Sequence, residues 1–341
     1  FEGAEEVVAW SRRMQLVWLA VQQREAARGK GAVACGVAHS LVRSEVGLVR
    51  SFGNGAEGQL GHGSESKEFV PRLIAPLEKV QVVAVAAAHY HSMALSAEGH
   101  VFTWGRGELG QLGHDDGNNR RVPTKVESLV GVSRIAAGGE HGLAVAGAMV
   151  YSWGYGLYGQ LGLGDRTTRN VPTMIPGLGG VVAVEAGGLH SLALDRDGTL
   201  RSWGWNSGGQ RGLGDRHKRS SPTVVAGLRR VVDMAGGTFY TTVATLEGHV
   251  YALGSGLATG HAEDCLVPTR VTAGLEGLVV VRVAAGRSHC MAVTQTGQLL
   301  TWGSGGGGQL GHGRQEDEKM PRVVEGAGVV VDVAGGTQHS M

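Results

Sequence analysis

Histidine is the residue type whose spacing in this sequence could serve chemistry, because imidazole binds metal ions and transfers protons near neutral pH. Seven positions recur at intervals of 49 to 52 residues, and six of them are histidines: His39, His91, His141, His190, Tyr240, His289 and His339. Zinc needs its ligands about 2 Å from one point, and residues on successive repeated units stay too far apart for that. We therefore predict no metal site. We interpret His141, His190, His289 and His339 as structural anchors whose rings hydrogen-bond backbone groups at the start of a strand.

A second group of polar residues lies in the loop that follows each Gly-Gln-Leu-Gly turn. Such loops are where a rigid repeat fold carries function. Two of these loops are basic and supply the predicted partner-binding residues: Arg166, Arg169, Arg216, His217, Lys218 and Arg219. Another loop is acidic, with Glu316, Asp317 and Glu318. This polarity would orient a charged protein partner; the alternative is a solvated loop without a partner. Tyr155 and Trp205 share one repeat register directly after Trp-Gly, which favours packing between repeats over binding.

No set of residues in the sequence predicts catalysis or cofactor binding. Cys290 follows His289, but adjacent residues of a strand point to opposite faces, so they do not form a nucleophile and base. The glycine-rich stretch 303–313 lacks the Gly-Lys-Ser/Thr of a phosphate-binding loop. We therefore expect a protein that is not an enzyme, has no catalytic residues and holds no cofactor.

Composition excludes further classes of function. The chain has 341 residues, 31 Lys and Arg against 30 Asp and Glu, and 42% hydrophobic residues. This balance argues against direct nucleic-acid binding, and no apolar stretch reaches the roughly 18 residues of a membrane span. Only three cysteines are present, which favours an intracellular, reducing compartment. The chain opens with Phe1 rather than Met, as a fragment of a longer protein would.

The elements that position these residues repeat with a period of about 50 residues. Aromatic or apolar anchors before a glycine mark it at Phe52, Trp104, Trp153, Trp203, Leu253 and Trp302. Each unit reads as three or four short strands, with hairpin signals such as Asp197-Gly198 and no helix between them. Units of this kind form the blades of a β-propeller. Six anchors but seven histidine-type markers predict seven blades, one of them assembled from the two chain ends.

Residues 1-31 differ from the rest and are predicted as a separate N-terminal extension, followed by the propeller over 32-341. This stretch is rich in helix formers, with acids early and bases late, and it ends near Gly29, which predicts a short helix. The competing interpretation is a closing strand, because the residues VVAWS of this stretch are similar to VFTWG at Val101.

The combined unit resembles the RCC1 (regulator of chromosome condensation 1) repeat: AGGxHSxAL, then DGxxxxWG, then GQLGxGD and a loop with proline, over about residues 33–341. The resemblance implies an all-β, seven-bladed propeller, with functions from nucleotide exchange on a Ran-type GTPase to scaffolding. The regular marker spacing leaves no room for the extra hairpin of the exchange factor. We therefore expect a non-catalytic scaffold that binds other proteins of a multi-subunit assembly. The alternative is a guanine-nucleotide exchange factor whose partner is a small GTPase.

Overall fold

Short apolar strands that end at glycine build the fold, as the fourth repeat illustrates. Its first two strands, Val181–Ala186 and His190–Asp195, are apolar and largely buried. The chain then reverses at Asp197-Gly198, where Gly198 adopts a φ of 83° and the Asp197 carboxylate accepts a 3.0 Å hydrogen bond from the Thr199 N–H. A residue with a side chain adopts such a φ at a cost that glycine avoids. The predicted hairpin is therefore present.

The computed structural model describes residues 31–256, 260–261 and 263–341. The named strands of these residues form six antiparallel sheets of four strands, each paired in chain order. We call these sheets blades 1 to 6. Blades 1 to 3 comprise β1 Val33–Cys35, β2 His39–Arg43, β3 Val49–Gly53, β4 Glu68–Leu73, β5 Val82–Ala87, β6 His91–Ser96, β7 Val101–Gly105, β8 Arg120–Lys125, β9 Val132–Ala137, β10 His141–Ala146, β11 Met149–Gly154 and β12 Arg169–Gly179.

Blades 4 to 6 comprise β13 Val181–Ala186, β14 His190–Asp195, β15 Leu200–Gly204, β16 Arg219–Val224, β17 Val231–Gly236, β18 Tyr240–Thr245, β19 Val250–Gly254, β20 Cys265–Val271, β21 Val280–Ala285, β22 His289–Thr294, β23 Leu299–Gly303 and β24 Glu318–Val323. Within these described ranges, Ala75–Leu77 forms a 3-10 turn. The first strands of all six blades line one central cavity of about 750 Å³. Apolar cores fill the spaces between neighbouring blades, for example where Val181 and Trp203 of blade 4 pack with Leu143 and Ile175 of blade 3.

Residues 330–341 close the ring between blade 6 and blade 1. On the blade 6 side, Arg282 donates to the Asp332 carboxylate at 2.5 Å, and both side chains are about nine-tenths buried. On the blade 1 side, the other Asp332 oxygen accepts a 2.9 Å hydrogen bond from the Ala32 N–H. The fold is thus a closed all-β propeller, which confirms the predicted fold class in its architecture.

The predicted number of seven blades is wrong, because the described residues form six. Around the last histidine marker, His339, the described residues make one isolated pairing, Gly335 with Ser340, and no four-stranded sheet. The seven markers count junctions between neighbouring units and not blades. Six blades and the closing segment 330–341 meet at seven junctions. The aromatic or apolar anchors before a glycine occur once per sheet, so their number equals the number of blades.

The predicted N-terminal helix falls on residues 1–31 and lies outside the described residues, apart from Gly31, which is in a turn. The boundary between an extension and the propeller at residues 31 and 32 stays a prediction. Among the described residues, no helix has the length and apolar character that crossing a bilayer requires.

Candidate protein-interaction surface

Five of the six histidine markers, all except His91, form hydrogen-bonded links across the junctions of the ring. His39 bonds Ser92 of the next blade at 2.9 Å, and Ser92 in turn donates to the Gln59 carbonyl at 2.8 Å. The same link joins His141 to Ser191 and His190 to Thr241. At the ring closure it joins His289 to Ser340 and His339 to Ser40. The partners are therefore hydroxyl groups across a junction, where the sequence had suggested backbone groups within a blade.

This geometry fixes the state of the imidazoles. Each hydroxyl of Ser92, Ser191, Thr241 and Ser340 gives its one proton to a glutamine carbonyl, so the histidine Nε2 must be the donor. Burial lowers the pKa of His39, His141 and His190 to about 3, with neighbouring cationic or imidazole groups adding to the effect. These rings are therefore neutral at physiological pH and serve architecture.

In blades 3, 4 and 5 the glycine three residues before the marker packs closely against the ring of that marker, whereas blade 2 has Ala88 at this position before His91. A Cβ on Gly187 would lie 2.2 Å from Cε1 of His190, and one on Gly138 would lie 2.1 Å from Cε1 of His141. Even where tyrosine replaces histidine, a Cβ on Gly237 would lie 2.0 Å from Cε1 of Tyr240. The first glycine of the Gly-Gly-x-His motif thus leaves room for the histidine ring, which packs against the backbone three residues earlier.

The predicted tryptophan anchors Trp104, Trp153, Trp203 and Trp302 are completely buried. Three of them also link blades, because their indole N–H groups donate to glutamine carbonyls of the preceding blade: Gln59 for Trp104, Gln111 for Trp153 and Gln160 for Trp203. Blade 5 has Leu253 in this register. The histidines and tryptophans singled out by their spacing therefore lie at the junctions of the ring.

A chain of exposed and half-buried aromatic rings crosses blades 3, 4 and 5 on one face of the propeller. Ring centroids are 5.9 Å apart for Tyr155 and Tyr158, 5.2 Å for Tyr158 and Trp205, and 5.3 Å for Trp205 and Phe239. The Tyr158 and Trp205 rings stack with 23° between their planes. We call these four residues the aromatic ladder. Leu157 extends its apolar surface and is 55% exposed.

The two predicted basic loops border the aromatic ladder. Lys218 of blade 4 places Nζ 4.6 Å from the ring centroid of Tyr158 of blade 3, a favourable cation–π distance. Arg216 donates at 2.5 Å to the carbonyl of Ser207, two residues after Trp205. In blade 3, the loop of Arg166 and Arg169 is tied to the ladder because Thr168 accepts a hydrogen bond from the N–H of Gly156.

The structure divides the six predicted partner-binding residues by their charge environment. Arg169 pairs with Asp165 at 2.6 Å, Arg219 with Asp215 at 2.7 Å, and Arg216 with Asp264 of blade 5 at 2.7 Å. The Arg219 side chain holds the pKa of Asp215 well below its usual range, so this carboxylate stays charged. His217 lies 3.8 Å from Asp215 and is 85% exposed.

Two of the six residues keep an uncompensated charge. Lys218 and Arg166 are exposed, and neither forms an ion pair within the part of the chain that the structure describes. Arg287, which sequence analysis did not select, is also exposed, and its carbonyl accepts a hydrogen bond from Thr238 beside Phe239. These three cations and the aromatic ladder make up the candidate interaction surface.

Sequence reasoning missed Tyr158 and Phe239. Phe239 occupies the position before the histidine-type marker, and Tyr158 the position before Gly-Gln in the turn. The residue type at both positions varies between the repeats, so the only signal in the sequence was that these two residues are aromatic. The shared register of Tyr155 and Trp205 favours packing between repeats, and Trp205 does contact Tyr158 of blade 3 and Phe239 of blade 5. Both residues also stay half-exposed, and Tyr155 contacts Tyr158 of its own blade.

The described residues offer little chemistry for catalysis. No group of three or more metal-ligating side chains occurs among them. Burial raises the pKa of the Cys35 thiol to about 12 and that of Cys290 still further, and the thiolate is the nucleophilic form of cysteine. Both thiols are therefore held in the protonated form.

Six four-stranded blades joined by the same kind of junction define a β-propeller built from repeated units. The repeat model "Regulator of chromosome condensation (RCC1) repeat" matches residues 47–95, 98–145, 149–194, 197–244, 247–293 and 296–341. The chain therefore belongs to the RCC1 repeat family, as its motifs had indicated.

Among known proteins, the chain is similar to human E3 ubiquitin-protein ligase HERC2, with 35% identity over 319 residues. This match covers 92% of the chain but only 6% of the length of HERC2. The crystal structure of human WBSCR16 matches with a TM-score of 0.83 and 30% identity, covering 90% of this chain and 84% of that one. The structure of Prp20p from Saccharomyces cerevisiae, described with its binding to Gsp1p and histones, matches with a TM-score of 0.80 and 27% identity over 90% of this chain and 80% of Prp20p.

Proposed function

We propose that the protein is a non-catalytic interaction module that binds another protein through the aromatic ladder and its bordering cations, as a structural part of a larger assembly. The observation that carries this proposal is the ladder itself, Tyr155, Tyr158, Trp205 and Phe239, with Lys218 held over Tyr158. Trp, Tyr and Arg are the residues that contribute most energy at protein interfaces.

The rigidity of the surroundings supports this role. The loop of blade 4 that carries Lys218 contacts Tyr158 of blade 3 and Asp264 of blade 5. It is thus fixed to both neighbouring blades before any partner arrives. A surface that is ordered in advance loses little side-chain entropy on binding, which suits a permanent subunit.

The test compares complexes isolated from the native source by the wild-type chain and by Trp205→Ala. The control is Phe69→Ala, which removes a phenylalanine that is 91% exposed on the outer strand of blade 1. We expect Trp205→Ala to lose a defined set of partners that Phe69→Ala retains, with unchanged circular dichroism in both. Identical partner sets for all three proteins would refute the assignment of this surface.

A second candidate function is guanine-nucleotide exchange on a small GTPase. It is favoured by the likeness to Prp20p, a protein whose structure is described together with its binding to Gsp1p. The regular spacing of the repeats, which leaves no room for an inserted hairpin, speaks against it. The deciding measurement is release of a fluorescent GDP analogue from a panel of small GTPases. Release accelerated by the protein would replace the scaffold proposal.

We further propose that the protein has no enzymatic activity and acts in an intracellular, reducing compartment. The first point is supported by the buried thiols and the neutral, architectural histidines described above. The second is supported by the low number of cysteines, three in 341 residues. Fractionation of the source cells with an antibody to the protein tests the compartment.

A further inference from the structure

Building on the proposed function, we propose that the aromatic ladder binds an extended peptide segment of the partner, in which a large apolar side chain stands beside acidic residues. The proposal concerns the chemistry of the partner and goes beyond the statement that this face binds protein. It depends on the shape of the ladder and on the charges around it.

The shape of the aromatic ladder favours an extended segment. Its rings follow one another across three blades with centroid separations of 5.2 to 5.9 Å. Alternate side chains on an extended strand are about 6.6 Å apart, since the rise is about 3.3 Å per residue. A strand laid along the ladder would therefore place every second side chain near one ring.

The exposed apolar groups favour a large apolar anchor in that segment. Phe239 at one end of the ladder is 37% exposed, and Leu157, which precedes Tyr158 in the chain, is 55% exposed. A peptide without an apolar side chain would cover this surface without gaining from its burial.

The charges favour acidic residues in the segment. Arg169, Arg216 and Arg219 are neutralised by Asp165, Asp264 and Asp215. Lys218, Arg166 and Arg287 have no such partner among the described residues, and they outnumber the Glu140 carboxylate near Tyr155, so the rim is net positive. The equivalent loop of blade 6 is different, because Glu316, Asp317 and Glu318 make it acidic.

Basic and aromatic residues also occur in sites for single-stranded nucleic acids, where bases stack on open ring faces. In this ladder one face of Tyr158 is covered by Trp205, and Lys218 lies over the ring. Trp205 and Phe239 also meet edge to face, with 68° between their planes. Stacking faces are therefore largely occupied within the protein, which favours a peptide over nucleic acid.

The experiment is a selection of short random peptides displayed on phage against the full chain, with removal of peptides that also bind Trp205→Ala. We expect the remaining pool to be enriched in Asp and Glu next to Trp, Phe or Leu. The most enriched peptide is then synthesised with a fluorescent label, and its affinity is measured by fluorescence polarisation at two salt concentrations.

For that peptide we expect Trp205→Ala and Phe239→Ala each to weaken binding at least about tenfold. Lys218→Glu and Arg287→Glu should weaken it about tenfold and reduce its salt dependence, because each reverses a charge of the rim. The matched controls are Phe69→Ala and Lys319→Glu, which change an exposed phenylalanine and an exposed lysine away from the ladder, and they should bind like wild type.

Three results would overturn the inference. They are a selected pool that is neutral or basic, the absence of any pool that depends on Trp205, and displacement of the peptide by a single-stranded oligonucleotide. Each of these could occur while native complexes still depend on Trp205. The proposed function would then stand, and only the chemistry assigned to the partner would fail.

Discussion

Arg211 is a buried cation whose replacement by leucine should stabilise the protein. It occupies the position of leucine in the Gly-Gln-Leu-Gly turn, where Leu60, Leu112, Leu161 and Leu310 are all buried. Arg211 is also fully buried, and its Nε and Nη2 atoms have no hydrogen-bond partner among the described residues. Its one side-chain bond runs from Nη1 to the Gly204 carbonyl and is long, at 3.4 Å.

The size of the effect follows from these contacts. Burial lowers the pKa of Arg211 to about 10, so the group is still charged at pH 7 and its desolvation is not compensated. Each buried N–H without a partner costs about 1–3 kcal/mol. Leucine would remove this cost and leave a small cavity that costs about 1 kcal/mol. We expect Arg211→Leu to raise the free energy of unfolding by about 2 kcal/mol.

Urea unfolding followed by tryptophan fluorescence measures this change. Arg196→Leu is the control, because Arg196 is exposed in a hairpin of the same blade and its replacement should change stability by less than about 0.5 kcal/mol. If Arg211→Leu instead lowered the free energy of unfolding by 1 kcal/mol or more, the guanidinium would have to be stabilised by its surroundings and the reasoning would be refuted.

Three further predictions concern the junctions. Burial lowers the pKa far below the unfolded value of 6.5 for His39, His91, His141, His190 and His289. The unfolded chain therefore binds more protons, and the free energy of unfolding should fall as pH drops from about 6.5 towards 4, by up to about 1.4 kcal/mol per pH unit for each ring. Urea midpoints measured at several pH values test this. Gly187→Ala should cost about 3 kcal/mol through its clash with His190, whereas Gly306→Ala, with no atom within 4 Å of the added Cβ, should be nearly neutral in the same assay. Asp332→Ala should cost about 3–5 kcal/mol, because Arg282 would remain buried without its counter-charge; a loss below 1 kcal/mol in thermal or urea unfolding would contradict the role of Asp332 in closing the ring.

The sequence was sufficient to predict strands, hairpins and the repeat, because these depend on local patterns. The Asp197-Gly198 turn and the Trp203 anchor could each be placed from a few neighbouring residues. The number of blades could not be predicted in this way, since His339 marks a junction with Ser40, which lies near the other end of the chain. A marker whose partner lies in the next unit does not show which sheet it belongs to.

The candidate site was predictable only in part for the same reason. Its basic loops stood out by composition, but which cations remain uncompensated depends on carboxylates that the fold brings near, such as Asp264 for Arg216. Tyr158 and Phe239 belong to blades 3 and 5, and they share a surface only because Trp205 of blade 4 lies between them. Distances of this kind come from the closed ring and not from any one repeat.

The closing segment 330–341 has a consequence for how the protein comes apart. In a linear repeat array the terminal unit can fray first, because it has a single neighbour. Here Asp332 and His339 contact blade 1, while Ser340 contacts blade 6, so every blade has a neighbour on both sides. Opening any one junction exposes two surfaces at once, which favours concerted unfolding of the whole ring.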